Sequence, residues 1–229
     1  MTNPPRELQL AADTIVAAIR RLVVNRTSPI LAALDGGSGS GKSSLAMLIV
    51  EELDAALIQS DDFFAAHISD AEWDVRTPAA RAADAIDWRR LRSEALEPLL
   101  AGKPAKWHAF DFEAGVRPDG TYAMRMDFVE REPAAVVVLD GAYSTRPELA
   151  DLIDLSVLVD VPVAVRHERL AAREDPTFLA FWHARWDAAE EYYFTHVRPK
   201  TSFDLVVAPA QSSVASQGGL PDPARLRFD

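Results

Sequence analysis

Apolar residues recur along this chain in two periods, and the alternation between those periods predicts its architecture. Leu8, Ala11, Ile15, Ala18, Ile19 and Leu22 share one side of a helix over residues 7–25, which ends before Ser28-Pro29. The unbroken run Ile30-Leu31-Ala32-Ala33-Leu34 predicts a strand covered on both faces. After a Gly/Ser-rich gap, Leu45 to Leu53 returns to helix and Ala55 to Gln59 to strand. Residues 65–82 have no strong period and read as a loop with short helical pieces. Asp87 caps a helix, Trp88 to Leu100, which Gly102 and Pro104 stop. Alternating aromatic and polar positions over 105–132 predict a β-hairpin turning at Pro118-Asp119-Gly120. Strands follow at Ala134 to Leu139 and Leu155 to Asp160. Residues 163–198 are helical with a break near Asp175-Pro176, and Phe203 to Ala208 is a last strand.

Strands alternating with helices imply a three-layer α/β/α fold around a mainly parallel five-stranded sheet. A chain of 229 residues with 48% hydrophobic positions suits one domain, placed here at 1–208. The remaining 209–229, rich in Ser, Gln, Gly and Pro, is expected to be a flexible tail. Composition narrows the function. The absence of cysteine rules out disulfides, thiolate zinc sites and cysteine nucleophiles. A net charge of −11 argues against non-specific binding to nucleic acid. No apolar run is long enough for a membrane span, and Met1 to Glu7 has no secretory pattern, so a cytoplasmic protein without a membrane partner is expected. The pattern leaves oligomeric state open, a homo-oligomer included.

The gap between the first strand and the second helix carries the strongest chemical signal. Gly36-Gly37-Ser38-Gly39-Ser40-Gly41-Lys42-Ser43 fits G-x-x-x-x-G-K-[ST] without a mismatch. Such a loop turns its backbone N–H groups around a triphosphate, and glycine allows the close approach. Lys42 is expected to reach the β- and γ-phosphates and Ser43 to hold the accompanying Mg²⁺. The following helix adds the positive end of its dipole. The binding set is therefore Gly37, Ser38, Gly39, Ser40, Gly41, Lys42, Ser43 and Ser44. This chain reads as a P-loop protein that binds a nucleoside triphosphate.

Carboxylates at strand ends separate the uses of such a loop, because strand carboxyl ends face the ligand crevice of a parallel sheet. Asp61 and Asp62 follow the second strand and Asp140 ends the third. Phosphate transfer to a hydroxyl needs a base and an acid that completes the metal shell. Asp61 suits the first role, with Asp62 its neighbour and rival, and Asp140 suits the second. Helix capping and turn formation are the bland alternatives. No N-K-x-D or L-S-G-G-Q run is present, which disfavours GTPase and transporter readings. Arg166, Arg169 and Arg173 fall on one helical face, suited to neutralising transferred phosphate or merely to solvated salt bridges. Arg173 is the leading candidate. Phe178, Trp182, Trp186 and Tyr193 have helical spacing and read as core rather than a stacking platform. The histidines His67, His108, His167, His183 and His196 show no metal-ligand spacing and are read as ordinary surface or core residues.

The order of these motifs resembles the uridine kinase branch of P-loop nucleoside kinases, with phosphoribulokinase and bacterial pantothenate kinase as cousins, over roughly residues 30–208. Gly36 to Ser44 resembles G-G-S-x-S-G-K-[ST]. Ser60-Asp61-Asp62-Phe63-Phe64 resembles Q-D-S-F-Y, which puts Asp61 on the catalytic aspartate and Phe64 on an acceptor-pocket tyrosine. Ala83 to Trp88 resembles P-D-A-F-D-W, and Phe110-Asp111-Phe112 resembles Y-D-F, with Phe110 at a second tyrosine. Arg117 matches the arginine of Y-D-F-x-x-H-x-R, whereas Gly115 stands at its histidine. Leu139-Asp140-Gly141 resembles F-E-G, and Arg169-x-x-x-Arg173-Glu174-Asp175 resembles the lid's R-x-x-x-R-D with one residue inserted.

The resemblance implies a lid over about 163–198, MgATP as donor and a small hydroxyl compound as acceptor. It implies Asp61, Lys42 and Arg173 in catalysis, and Asp61, Phe64, Phe110, Arg117 and Arg169 against the acceptor. A nucleoside of the uridine or cytidine type is the first expectation. The lost tyrosine hydroxyls and histidine favour a sugar, a vitamin precursor or another metabolite alcohol nearly as well. A non-catalytic ATP-binding regulator is the third reading.

Overall fold

Seven strands and eight helices alternate along residues 4–24 and 26–209, the part of the chain that the computed structural model describes. The strands are β1 (Ile30–Asp35), β2 (Ala56–Gln59), β3 (Ala105–Phe110), β4 (Met124–Arg131), β5 (Val136–Asp140), β6 (Leu155–Val159) and β7 (Leu205–Val207). The helices are α1 (Arg6–Val23), α2 (Lys42–Leu53), α3 (Asp70–Val75), α4 (Pro78–Asp84), α5 (Trp88–Arg90), α6 (Glu97–Leu100), α7 (Val163–Ala171) and α8 (Pro176–Tyr192). The expected tail lies almost wholly outside the described residues.

Five strands form one parallel sheet in the order β2-β5-β1-β6-β7. Strands β1, β5 and β6 are buried along their whole length, as their unbroken apolar runs require. Side chains alternate between the two faces. Ile30, Ala32 and Leu34 pack with Ile15 and Ile19 of α1 and with Leu45 and Ile49 of α2. Leu31 and Ala33 point the other way, toward Ile58, Phe63, Trp73, Leu96 and Trp107. Each fully buried Leu or Ile among them contributes about 1.5–3 kcal/mol. The three-layer α/β/α architecture expected from the pattern is thus what forms, with helices on both sheet faces. No helix among the described residues is long and apolar enough to cross a membrane.

The hairpin predicted over 105–132 is β3 paired antiparallel with β4, a two-stranded sheet apart from the main one. Its link closes where Gly120 donates its N–H to the Arg117 carbonyl. The helix predicted over 88–100 forms with Asp87 capping Arg90, but it widens to a π-helix over Leu91–Leu96 between α5 and α6. Pro98 lies just beyond and has no N–H to offer Glu94, which removes one ordinary helical bond at that point.

One expectation is corrected. Arg166, Arg169 and Arg173 do not share a helix, because α7 ends at Ala171 with Ala172 as its cap. Arg173 falls in the link to α8, whose first turn is capped by Asp175 accepting from the Thr177 and Phe178 N–H groups.

Register aligns the carboxyl ends that matter. Asp140 pairs with both Leu34 of β1 and Gln59 of β2, so Asp35, Ser60-Asp61 and Asp140 emerge along one sheet edge.

Candidate active site

Gly36 to Gly41 link the end of β1 to the start of α2. The residue before α2 is Gly41, in a left-handed conformation at φ 91°, and no side chain caps the helix. Its first N–H groups are therefore presented to a ligand together with the dipole. Lys42 is buried and donates to the carbonyls of Gly36 (2.8 Å) and Gly37 (3.1 Å). The Ser40 hydroxyl is buried with no hydrogen-bond partner among the described residues. Ser38 to Ser44 line a cavity of about 500 Å³. Of the predicted loop set, Gly37 alone stands behind this wall, where a Cβ would meet Arg166 and Glu190. Gly39 has φ 79°, and a Cβ there would lie 2.7 Å from the Arg166 carbonyl, so α7 rests directly on the loop.

Asp35, the last residue of β1, is a site residue that motif reasoning passes over. It is wholly buried, and its carboxylate accepts from the Gly36, Tyr143 and Thr145 N–H groups and from the Thr145 and Tyr193 hydroxyls. One carboxylate so ties the phosphate loop to the segment after β5 and to the end of α8. Its only sequence signal is position: an acid ending an apolar strand, immediately before the glycines.

Asp140 is buried at the end of β5, followed by Gly141 on the cavity wall. Gly141 has φ 142°, and a Cβ would meet the Ser60 Oγ at 1.8 Å. Only glycine lets the β5 end close against the turn that carries Asp61.

That turn, a 3-10 helix over Ser60–Phe63, sends its two aspartates in different directions. Asp61 lines the cavity. Asp62 accepts from the Trp107 indole N–H at 2.9 Å, and burial raises its pKa above the usual carboxylate value against the pull of that bond and of Arg131 and Arg125. Tyr143 also lines the cavity, in a left-handed conformation at φ 61° that is uncommon for a tyrosine. Burial drives its phenol pKa well up, helped by the nearby charges of Glu190, Asp35 and Asp61. Tyr143 is thus a neutral hydroxyl held among carboxylates.

Helices α7 and α8 meet the loop through paired charges. Arg166 donates to the Ser38 carbonyl (2.9 Å) and to Glu190 (2.8 Å). Glu190, buried on α8, accepts in turn from the Ser38 N–H (2.8 Å) and hydroxyl (2.6 Å). Arg169 donates to the Ser40 carbonyl (3.1 Å). Arg169 and Arg173 both line the cavity.

The far end of the cavity is aromatic: Phe64, Phe112, Tyr122, Phe178, Trp182 and Trp186 line it. The helical series expected to be core does double duty. Trp186 packs against Trp73 and Phe64 while its neighbours Trp182 and Phe178 extend the wall, and Tyr193 alone is purely interior. Arg185 is buried and bridges α8 to α3 through Asp70 and Asp74, and the Tyr122 hydroxyl donates to Asp70 at 2.6 Å. Burial and the Asp70 charge keep the Tyr122 phenol protonated. Two predicted acceptor contacts stand elsewhere. Phe110 is buried behind Phe64, edge-on at 5.1 Å, and Arg117 is exposed in the hairpin link; neither lines the cavity.

Two of the five histidines come together despite their unremarkable spacing. His167 on α7 and His183 on α8 lie with ring centres 3.9 Å apart and planes tilted by 43°, beside Asp187. The overlooked signal is His183-x-x-x-Asp187, one helical turn apart.

No protein-family model matches the chain. It is 29% identical to a uridine kinase of Streptococcus uberis over 83% of this chain and 91% of that protein. A uridine kinase of Deinococcus deserti is 27% identical over 86% and 91% respectively. Among solved structures, a protein from Bacillus stearothermophilus described as a possible uridine kinase superposes with a TM-score of 0.64 at 19% identity, covering 87% of this chain and 98% of that one. A candidate fructose transport system kinase from Silicibacter superposes at 0.61 and 21%, covering 86% and 98%. The resemblance read from the motifs is borne out: this chain is similar over most of its length to proteins named uridine kinase, and it has the fold of uridine kinase-like P-loop kinases.

Proposed function

We propose that this protein is an ATP-dependent kinase that transfers the γ-phosphate to a hydroxyl group of a small molecule. The observation that carries the reading is convergence: one cavity is lined at once by Ser38 to Ser44, by Asp61 and by Arg169 and Arg173. Kinship with proteins named uridine kinase supports it and makes a nucleoside the first acceptor class.

Asp61 takes the proton from the acceptor hydroxyl as its oxygen bonds to the γ-phosphorus and the bond to the β–γ bridging oxygen breaks, leaving ADP. Lys42 and the N–H groups at the start of α2 hold the phosphates, while Arg169 and Arg173 offset negative charge on the transferred group. Ser43 on the cavity wall and Asp140 at the β5 end fit a hard oxygen-liganded cation, and Mg²⁺ bound there neutralises phosphate charge. Phe64, with the aromatic wall around it, favours an acceptor with fewer hydrogen-bonding groups than a pyrimidine nucleoside, such as another metabolite alcohol.

A screen of ADP release over nucleosides, sugars and vitamin precursors tests this. Acceptor-dependent ADP release is expected for at least one class. Saturable ATP binding with no acceptor-stimulated release would instead mark a nucleotide-binding regulator.

A further inference from the structure

His167, His183 and Asp187 come from two helices, and each offers one ligand atom within 4.8 Å of the others. His183 Nδ1 lies 3.0 Å from Asp187 Oδ1, and His167 Nε2 lies 3.3 Å from Asp187 Oδ2. These two separations run to different oxygens of Asp187; donors on a tetrahedral zinc ion, bonded at about 2.0–2.2 Å, stand about 3.3–3.5 Å apart, so small side-chain rotations would gather one atom of each residue around an ion. His167 Nε2 is buried as an atom and makes no hydrogen bond among the described residues. Nearby Asp187 does not satisfy it. The two imidazole centres lie 3.9 Å apart with the ring planes tilted by 43°. Two imidazole nitrogens and a carboxylate oxygen make a donor set for a borderline divalent ion rather than for Mg²⁺, which prefers six oxygens.

We propose that His167, His183 and Asp187 form a divalent transition-metal site, of the zinc or cobalt class, that staples α7 to α8. The side chains remain 25–40% exposed, which leaves an entry path and room for water as a fourth ligand. The site sits at the base of the lid. Arg166, beside His167, reaches the phosphate loop, and Glu190, one turn beyond Asp187, reaches Ser38. Metal binding fixes these two arms relative to each other and restrains the link of residues 172–175. The inference concerns no acceptor and stands apart from the proposed reaction.

The test uses full-length protein stripped by a chelator and then dialysed, without nucleotide. Zn²⁺ is titrated calorimetrically and Co²⁺ by its visible absorption. One ion per chain is expected, with the intense d–d bands of a low-coordinate cobalt site. His167→Ala and His183→Ala should each weaken binding by at least about thirtyfold, whereas His196→Ala should not change it. Metal should slow tryptic cleavage at Arg173 in the wild type and not in His167→Ala. Should His167→Ala or His183→Ala fail to fold, His183→Gln and Asp187→Asn serve in their place, with metal-free melting temperatures as the check. Absence of saturable binding below about 100 µM, or affinity unchanged in both histidine variants, overturns the site. Neither result bears on ADP release, so the two readings fail separately.

Discussion

The two ends of the cleft are made from different materials. At the phosphate end the groups offered to a ligand are main-chain N–H groups of one loop and one helix start, together with Lys42, all within Gly36 to Ser44. At the aromatic end, where the acceptor is proposed to sit, they are side chains from several separate elements: Phe64 after β2, Phe112 and Tyr122 in the hairpin, and Phe178, Trp182 and Trp186 on α8. A main-chain cradle holds whatever polyphosphate enters, and few side chains can retune it. An aromatic wall changes with each side chain. The phosphate end should therefore be indifferent to the acceptor, and the aromatic end indifferent to the nucleotide.

The contrast breaks most visibly at its boundary. Lys42→Ala should lower kcat/KM by about 10³-fold or more for every acceptor and weaken nucleotide binding as well. Asp61→Asn should leave nucleotide binding intact and lower kcat by about 10²–10⁴-fold. Equilibrium titration of a fluorescent ATP analogue, beside steady-state ADP release, separates the two. Near wild-type turnover in Asp61→Asn would remove the base assignment.

Smaller effects are expected along the aromatic wall. Trp182→Ala should raise the KM for the acceptor about tenfold while the KM for ATP stays unchanged. Trp186→Ala should also cost about 3–5 kcal/mol of stability, because that ring packs against Trp73 and Phe64. Denaturant melts distinguish the two. An equal rise in both KM values for Trp182→Ala would mean that the cleft does not divide as argued.

This division also explains what could be read before any coordinates. The sheet was legible because Ile30 to Leu34, Ala134 to Leu139 and Leu155 to Asp160 are unbroken apolar runs, a pattern that two-sided burial produces directly. The phosphate loop was legible because its function lies in contiguous backbone. Phe110 and Arg117 were carried over from a resemblance, but their fate depends on how the hairpin closes, which no local pattern encodes. Asp35 went unnoticed because its five donors come from residues up to 158 positions away. The pairing of His167 with His183 required two helices to fold back on each other.

Glu190→Gln sharpens the contrast from the side of α8. Its carboxylate accepts from the Ser38 N–H, one of the loop groups on the cavity wall, and so places negative charge where phosphate is proposed to bind. Removing the charge should lower the KM for ATP about threefold. It should also lower the melting temperature, since Arg166 loses its buried partner. A higher KM for ATP would show that Glu190 positions the loop rather than competing with the ligand.

The smallest effect concerns Asp62, which shares a turn with Asp61 but faces Trp107. Burial raises its pKa in the folded protein above the ordinary aspartate value that the unfolded chain retains. Between those two values the folded state binds more protons than the unfolded state. Stability contributed by protonated Asp62 is thus complete at low pH and lost as pH rises through the folded pKa. Above the folded pKa the chain carries a buried carboxylate against its preference. Asp62→Asn keeps an oxygen for the Trp107 N–H and removes that charge, so it should raise the melting temperature by about 1–3 °C at pH 7. The gain should shrink toward zero below the unfolded pKa, where the wild-type carboxyl is already neutral in both states. Turnover should stay within about twofold of wild type, because Asp62 does not line the cavity. A collapse of kcat in Asp62→Asn with retention in Asp61→Asn would exchange the two aspartates and move the reacting hydroxyl to the hairpin side of the turn.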